Sequence, residues 1–105
     1  AEHNKEFISN VVTTIEDNLI DDSFSVDVLA TEMAMSRTVF YNKINALTGH
    51  SPIDLILDIK MKKAAGLIKE KSYLISEVAY LVGYSNPKNF STAFKKYYGV
   101  SPSQF

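Results

Sequence analysis

Two short stretches of this chain carry side chains suited to touching the edge of a base pair, and neither contains an acid. From Ser36 to Thr48, and again from Ser85 to Ser101, there is no Asp or Glu. In the first stretch Thr38, Tyr41, Asn42 and Asn45 share one side of a helix turning ~100° per residue, while Phe40, Ile44 and Leu47 share the other. Arg37 and Lys43 flank the polar side. In the second, Lys88, Ser91, Thr92 and Lys95 oppose Phe90, Phe94 and Tyr97, with Asn89 and Lys96 as flanks. A carboxamide pairs a donor with an acceptor and matches adenine in the major groove, whereas a guanidinium matches guanine or a phosphate. Solvated helix faces ordinarily mix both signs of charge, so two acid-free faces point to a polyanion. The chemistry implied is recognition of double-stranded DNA, not bond making.

Enzymatic chemistry finds no support elsewhere. His3 lies near the start of the chain and His50 follows a helix-ending glycine, with no second ligand or nucleophile beside either. There is no glycine-rich phosphate loop. With zero cysteines, disulfides and thiolate metal sites are excluded. No enzyme activity, metal or cofactor is expected. Tyr73, Tyr80, Tyr84, Tyr97 and Tyr98 do not share one face, so they read as packing residues and not as a base-stacking platform. No apolar run approaches the ~18 residues of a membrane span and no secretory signal is visible, so a cytoplasmic domain without membrane contact is expected.

A length of 105 residues with 46% apolar content suits a single globular domain. The net charge of −1 hides a strong asymmetry. Residues 1–35 hold one Lys and eight acids, whereas residues 36–105 hold ten Lys or Arg and four acids. The acidic part and the basic part therefore belong to different surfaces.

The elements that position the two faces follow from apolar spacing and helix-end residues. The first four residues read as a frayed end, and the missing initiator Met suggests a domain excised from a longer protein. Phe7, Ile8, Val11, Val12, Ile15 and Leu19 predict an amphipathic helix over Asn4–Leu19, with Glu6, Glu16 and Asp17 outward. An acidic, polar connection follows. Ser25 caps a short helix over Val26–Met33, whose inward residues are Val26, Leu29, Ala30 and Met33. Ala34-Met35 is the turn, and Ser36 caps a third helix that runs to Thr48 and stops at Gly49. Ser51-Pro52, with Asp54 three residues after the serine, opens a long helix to about Lys71. Its apolar stripe is Ile53, Ile56, Leu57, Met61, Ala64, Leu67 and Ile68. Lys60 falls inside that stripe, where it can snorkel, pair with an acid or reach a phosphate. A short helix over Glu77–Val82, a Gly83-Tyr84-Ser85 turn and a helix over Pro87–Tyr98 come next. Ser101-Pro102 begins a last helix cut off at Phe105.

The second half repeats the first. A shift of 50 carries Phe40, Ile44, Leu47, Gly49, Ser51 and Pro52 onto Phe90, Phe94, Tyr97, Gly99, Ser101 and Pro102. Upstream the shift is 49, pairing Leu29 with Val78 and Ala30 with Ala79, so one extra residue sits in the second turn. The reading is an all-α chain of two helix-turn-helix subdomains, 24–50 and 73–105, joined by a linker helix over 51–72. A 19-residue rod is ~28 Å long, close to the ~34 Å between successive major grooves on one DNA face.

These segments resemble the DNA-binding domain of the AraC/XylS family of bacterial transcription regulators. The resemblance covers Phe24 to Phe105 and rests on LATEMAMSRTVFYNKINALTGHSP, on KMKKAAGLI and on ISEVAYLVGYSNPKNFSTAFKKYYGVSPSQF. It implies a seven-helix fold, the last helix truncated here, with base-reading helices at Arg37–Leu47 and Pro87–Tyr97. MSRTVFYNKI and KAAGLIKEK look most like regulators of Bacteroidetes hybrid two-component systems, in which a membrane sensor, a histidine kinase and a receiver precede this domain. The family typically has Arg where Lys60 stands, and many members have a polar residue at the place of Pro87. The resemblance further implies transcriptional activation, a homodimeric full-length protein and RNA polymerase as a further partner. The alternative is a helical protein-interaction module whose acidic first helix docks on a neighbour.

Overall fold

The computed structural model describes residues 2–105 and is all-α. Among those residues the order is α1 (Glu2–Asp17), α2 (Val26–Glu32), α3 (Arg37–Thr48), α4 (Pro52–Glu70), α5 (Ile75–Leu81) and α6 (Pro87–Tyr98), then a single 3-10 turn at Pro102–Gln104. The chain divides into two compact units. One holds the residues up to Asn18 and Ser23–Ile59, and the other holds Leu19–Asp22 and Lys60–Phe105.

In the first unit the expected caps close the helices. The Ser25 hydroxyl accepts from the Val28 N–H at 3.3 Å, and that of Ser36 accepts from the Val39 N–H at 3.2 Å. Each satisfies a first-turn donor that the helix itself leaves open, worth about 1 kcal/mol. Val11 and Ile15 of α1, Leu29 and Ala30 of α2, and Phe40 and Ile44 of α3 form the core. The Phe7 ring stands edge-on to Phe40 at 6.2 Å. Helix α1 begins at Glu2, so the frayed end expected over residues 1–4 is not seen at Glu2, His3 and Asn4; Ala1 lies outside the described residues. It ends at Asp17 and not at Leu19, because the Asn18 side-chain amide donates to the Thr14 carbonyl at 2.8 Å and terminates the ladder.

The second unit buries Met61, Ala64, Ala65 and Leu67 of α4 with Val78, Ala79, Val82, Phe90 and Phe94. Phe94 packs at a tilt against Tyr98 at 4.8 Å and edge-on to Phe105 at 5.2 Å, and the Tyr98 hydroxyl donates to the Met61 carbonyl at 3.2 Å. The chain end is thereby held by aromatic contacts, although only one 3-10 turn forms where a last helix was expected to open. Helix α5 begins at Ile75, two residues before the expected start at Glu77. Glu77 occupies the third helical position, and its carboxylate accepts from the Leu74 N–H at 2.7 Å. It marks the cap three residues behind it rather than the start.

The two turns share one backbone pattern. Met35 N–H donates to the Ala30 carbonyl, and Tyr84 N–H to that of Ala79, each at 2.9 Å. Ala34 (φ 57°) and Gly83 (φ 90°) are equivalent left-handed positions. Helices α2 and α5 are offset by 49 residues and α3 and α6 by 50, which makes Ser85 the extra residue. A Cβ on Gly83 would collide with the Leu19 carbonyl oxygen and lie 3.3 Å from Lys60 Nζ. Gly83→Ala is therefore expected to cost about 1–3 kcal/mol, from left-handed strain and the collision. Ala34→Gly is expected to change stability by less than about 1 kcal/mol in urea unfolding.

Three residues expected in the core stand at its edge. Leu47 and Tyr97 are each 37% exposed, and Ile53 is 60% exposed. A seven-residue helix is only ~10 Å long, so α2 and α5 cover the first two aromatic or aliphatic turns of their partners and not the last. Ile53 keeps the angle of the α4 stripe but lies in its first turn, bordering a shallow depression with Phe24, Asp27 and Arg37. Lys60 is half-buried with Nζ 5.3 Å from the Tyr84 ring centroid. Burial lowers the Lys60 pKa and raises that of Tyr84.

Candidate nucleic-acid interface

Each unit presents the outward side of one helix. On α3 the aromatic and aliphatic residues Phe40 and Ile44 are fully buried, which fixes the rotation of the helix and turns Thr38, Tyr41, Asn42 and Asn45 to the exterior. Tyr41 is 45% exposed. The flanking cations are occupied. Arg37 pairs with Asp27 of α2 at 3.2 Å, in a pair well exposed at both ends. Such a pair holds a rotamer with little net stability and yields readily to a phosphate. Lys43 is half-buried and lies over the Phe7 ring at 4.2 Å, so it is turned towards α1 and away from the polar side.

On α6 the Asn86 side chain caps the first turn by accepting from the Lys88 N–H at 2.8 Å, and Pro87 takes the first helical position. Burial of Phe90 and Phe94 leaves Lys88, Asn89, Thr92, Lys95 and Lys96 exposed. Ser91 is half-buried, beside the core and not in the middle of the outward side. The Thr92 hydroxyl donates back to the Lys88 carbonyl at 3.1 Å. Each unit thus brings its expected set onto one helix, with Lys43 and Ser91 displaced to the margins.

Sequence reasoning passed over Val39, which is 55% exposed in the first turn of α3. An apolar group there suits the methyl of a thymine. The signal was available: Val39 sits ~60° from Asn42 on the helix surface, against ~100° from Phe40 and ~140° from Ile44.

A capped second helix with a greasy inner side and a polar, acid-free outer side, present twice, defines a DNA-binding domain of the helix-turn-helix class. Comparison with known proteins takes this to the family. A family model described as a helix-turn-helix domain matches residues 29–105. The chain belongs to the AraC-type helix-turn-helix family of transcription-regulator DNA-binding domains. It is 35% identical over 101 residues to histidine kinase P4 of Formosa agariphila, covering 96% of this chain and 7% of that protein. Among solved structures, the C-terminal domain of AraT, a response regulator from Geobacillus stearothermophilus, matches with a TM-score of 0.87 at 33% identity, covering 93% of this chain and 81% of that one. The DNA-binding domain of AdpA, a global transcriptional factor solved in complex with a target DNA, matches with a TM-score of 0.83 at 28% identity, covering 91% and 86%. The chain spans 7% to 57% of the lengths of the first curated relatives it matches. Among the described residues no helix is long and apolar enough to cross a membrane.

Proposed function

We propose that residues 1–105 act as one sequence-specific reader of double-stranded DNA within a transcription regulator, with α3 and α6 entering successive major grooves. The observation that carries this reading is the repeated capped helix with an exposed, acid-free outer side. On α3 the contacts are assigned to Arg37, Thr38, Tyr41, Asn42, Lys43 and Asn45. On α6 they are assigned to Lys88, Asn89, Ser91, Thr92, Lys95 and Lys96. Arg37 reaches a phosphate by leaving Asp27, an exchange that costs little at an exposed pair, and Lys43 reaches one by leaving the Phe7 ring.

The whole protein is proposed to be a two-component regulator that activates transcription from the cytoplasm, tethered to a membrane sensor and acting as a homodimer. The likeness to a histidine kinase and to a response-regulator domain supports the two-component assignment. RNA polymerase is the further partner of an activator. Dimerisation would supply the avidity that a single domain lacks.

Selection of bound sites from a random duplex library at moderate salt tests the reading. Enrichment of two short sequence blocks about one helical turn apart is the expected result. Weak binding that vanishes as salt rises, without enrichment, would leave only phosphate attraction. The second reading, a protein-interaction module, would then take its place. It draws on the exposed Tyr73, Leu74 and Tyr80, which are 42%, 69% and 62% exposed.

A further inference from the structure

We infer that Asp27 is a brake on DNA binding: its carboxylate holds the Arg37 guanidinium in the free chain and competes for it with a backbone phosphate. This rests on the DNA-reading function above and adds a positioning residue to it, one that acts through Arg37 and touches no base.

The place of the pair carries the argument. Arg37 is the first residue of α3. A cation there stands at the positive end of the helix macrodipole, so it gains nothing from its own helix and needs an anion from outside it. Two anions can serve. In a helix-turn-helix the start of the second helix enters the groove while the first helix crosses the backbone, which brings a phosphate towards Arg37. Asp27 supplies the other anion from the first turn of α2, with its two carboxylate oxygens 3.2 and 3.4 Å from Arg37 Nη1. A guanidinium so held must give up that partner to neutralise a phosphate, and the carboxylate it leaves then stands beside a polyanion.

The repeat supplies the control. At the offset of 49 Asp27 becomes Ser76, and at the offset of 50 Arg37 becomes Pro87, so the second copy has neither member. One residue on, Glu77 is engaged at its own helix, where it accepts from the Leu74 N–H at 2.7 Å. That copy still forms both helices, the Asn86 cap and a core of Val78, Ala79, Phe90 and Phe94. The turn and the packing therefore do not need the pair, and an ion pair exposed at both ends contributes little to stability. What the first copy gains is control over a charge. Because phosphates carry no sequence information, that control sets the strength of the grip and leaves the sequence preference alone.

The test is a salt series of fluorescence anisotropy on the selected duplex and on one of unselected sequence. Asp27→Asn is expected to raise affinity for both duplexes by a similar factor, roughly two- to fivefold. It should steepen the plot of log affinity against log salt by up to ~0.9, the share of one phosphate contact, and return the same consensus when site selection is repeated. Asp27→Ser, which copies Ser76, should do the same. In an Arg37→Gln background Asp27→Asn should bring no gain, because the group it frees is gone. Both positions are exposed, and thermal unfolding checks that each variant is folded. Equal gains in the two backgrounds would show that Asp27 repels DNA directly, and would overturn a brake that acts through Arg37. A fall in affinity with Asp27→Asn would overturn it too, since Asp27 would then be presenting Arg37 to the phosphate. Unchanged affinity with lowered thermal stability would also overturn it, leaving Asp27 an acid that serves the α2 dipole alone. If the unaltered chain binds no duplex, the DNA-reading function fails and this inference with it, a result seen before any variant is made.

Discussion

Asn42→Asp combined with Lys88→Glu is expected to lower affinity for the selected duplex by roughly a hundredfold or more while the domain stays folded. Each substitution removes a donor from an outward face and puts a carboxylate where a base edge or phosphate would lie. Loss of one good base contact is worth ~1–3 kcal/mol, and like charges facing each other add to it. Both residues are exposed and neither caps a helix through its side chain, so thermal unfolding should shift by no more than the ~0.5 kcal/mol typical of surface changes. The control is Lys5→Glu with Asn10→Asp, which makes the same change in net charge at exposed positions of α1, a helix to which no DNA contact is assigned. Fluorescence anisotropy on one labelled duplex compares the three proteins. If the control falls as far as the test variant, overall charge governs binding and not these two faces. If the test variant binds like the unaltered chain, the assignment of Asn42 and Lys88 is wrong.

Phe94→Ala is expected to destabilise the fold by about 3–5 kcal/mol, measured by urea unfolding, against a typical total of ~5–15 kcal/mol. The side chain is fully buried and is the centre of an aromatic cluster, with Phe90 at 5.7 Å, Tyr98 at 4.8 Å and Phe105 at 5.2 Å. Its removal leaves a cavity in the second unit and takes away one of the two rings that hold Phe105, the other being Tyr98 at 5.0 Å. Tyr97→Ala, one turn further along the same helix, should cost far less because Tyr97 is 37% exposed. Equal losses at the two positions would show that the last turn of α6 is packed more tightly than its exposure indicates.

Much of this molecule was legible from residue order alone. The first six helices, the serine caps at Ser25 and Ser36, the left-handed terminators Gly49 and Gly99, and the repeat with its single extra residue are local matters. They depend on hydrogen bonds within three or four residues and on the 3.6-residue period, and both are written in the sequence. The outward sides of α3 and α6 were legible for the same reason, since a buried Phe at 40 and at 90 dictates which way each helix turns. What tertiary structure decided was how far each apolar stripe is covered. Leu47, Tyr97 and Ile53 carry the right period and still stand at the rim, because periodicity gives an angle and not the length of the partner lying across it. Long flexible cations were decided the same way. Lys43, Arg37 and Lys60 have several rotatable bonds, and whether each points to solvent or folds over Phe7, onto Asp27 or against Tyr84 depends on what a distant segment places within reach.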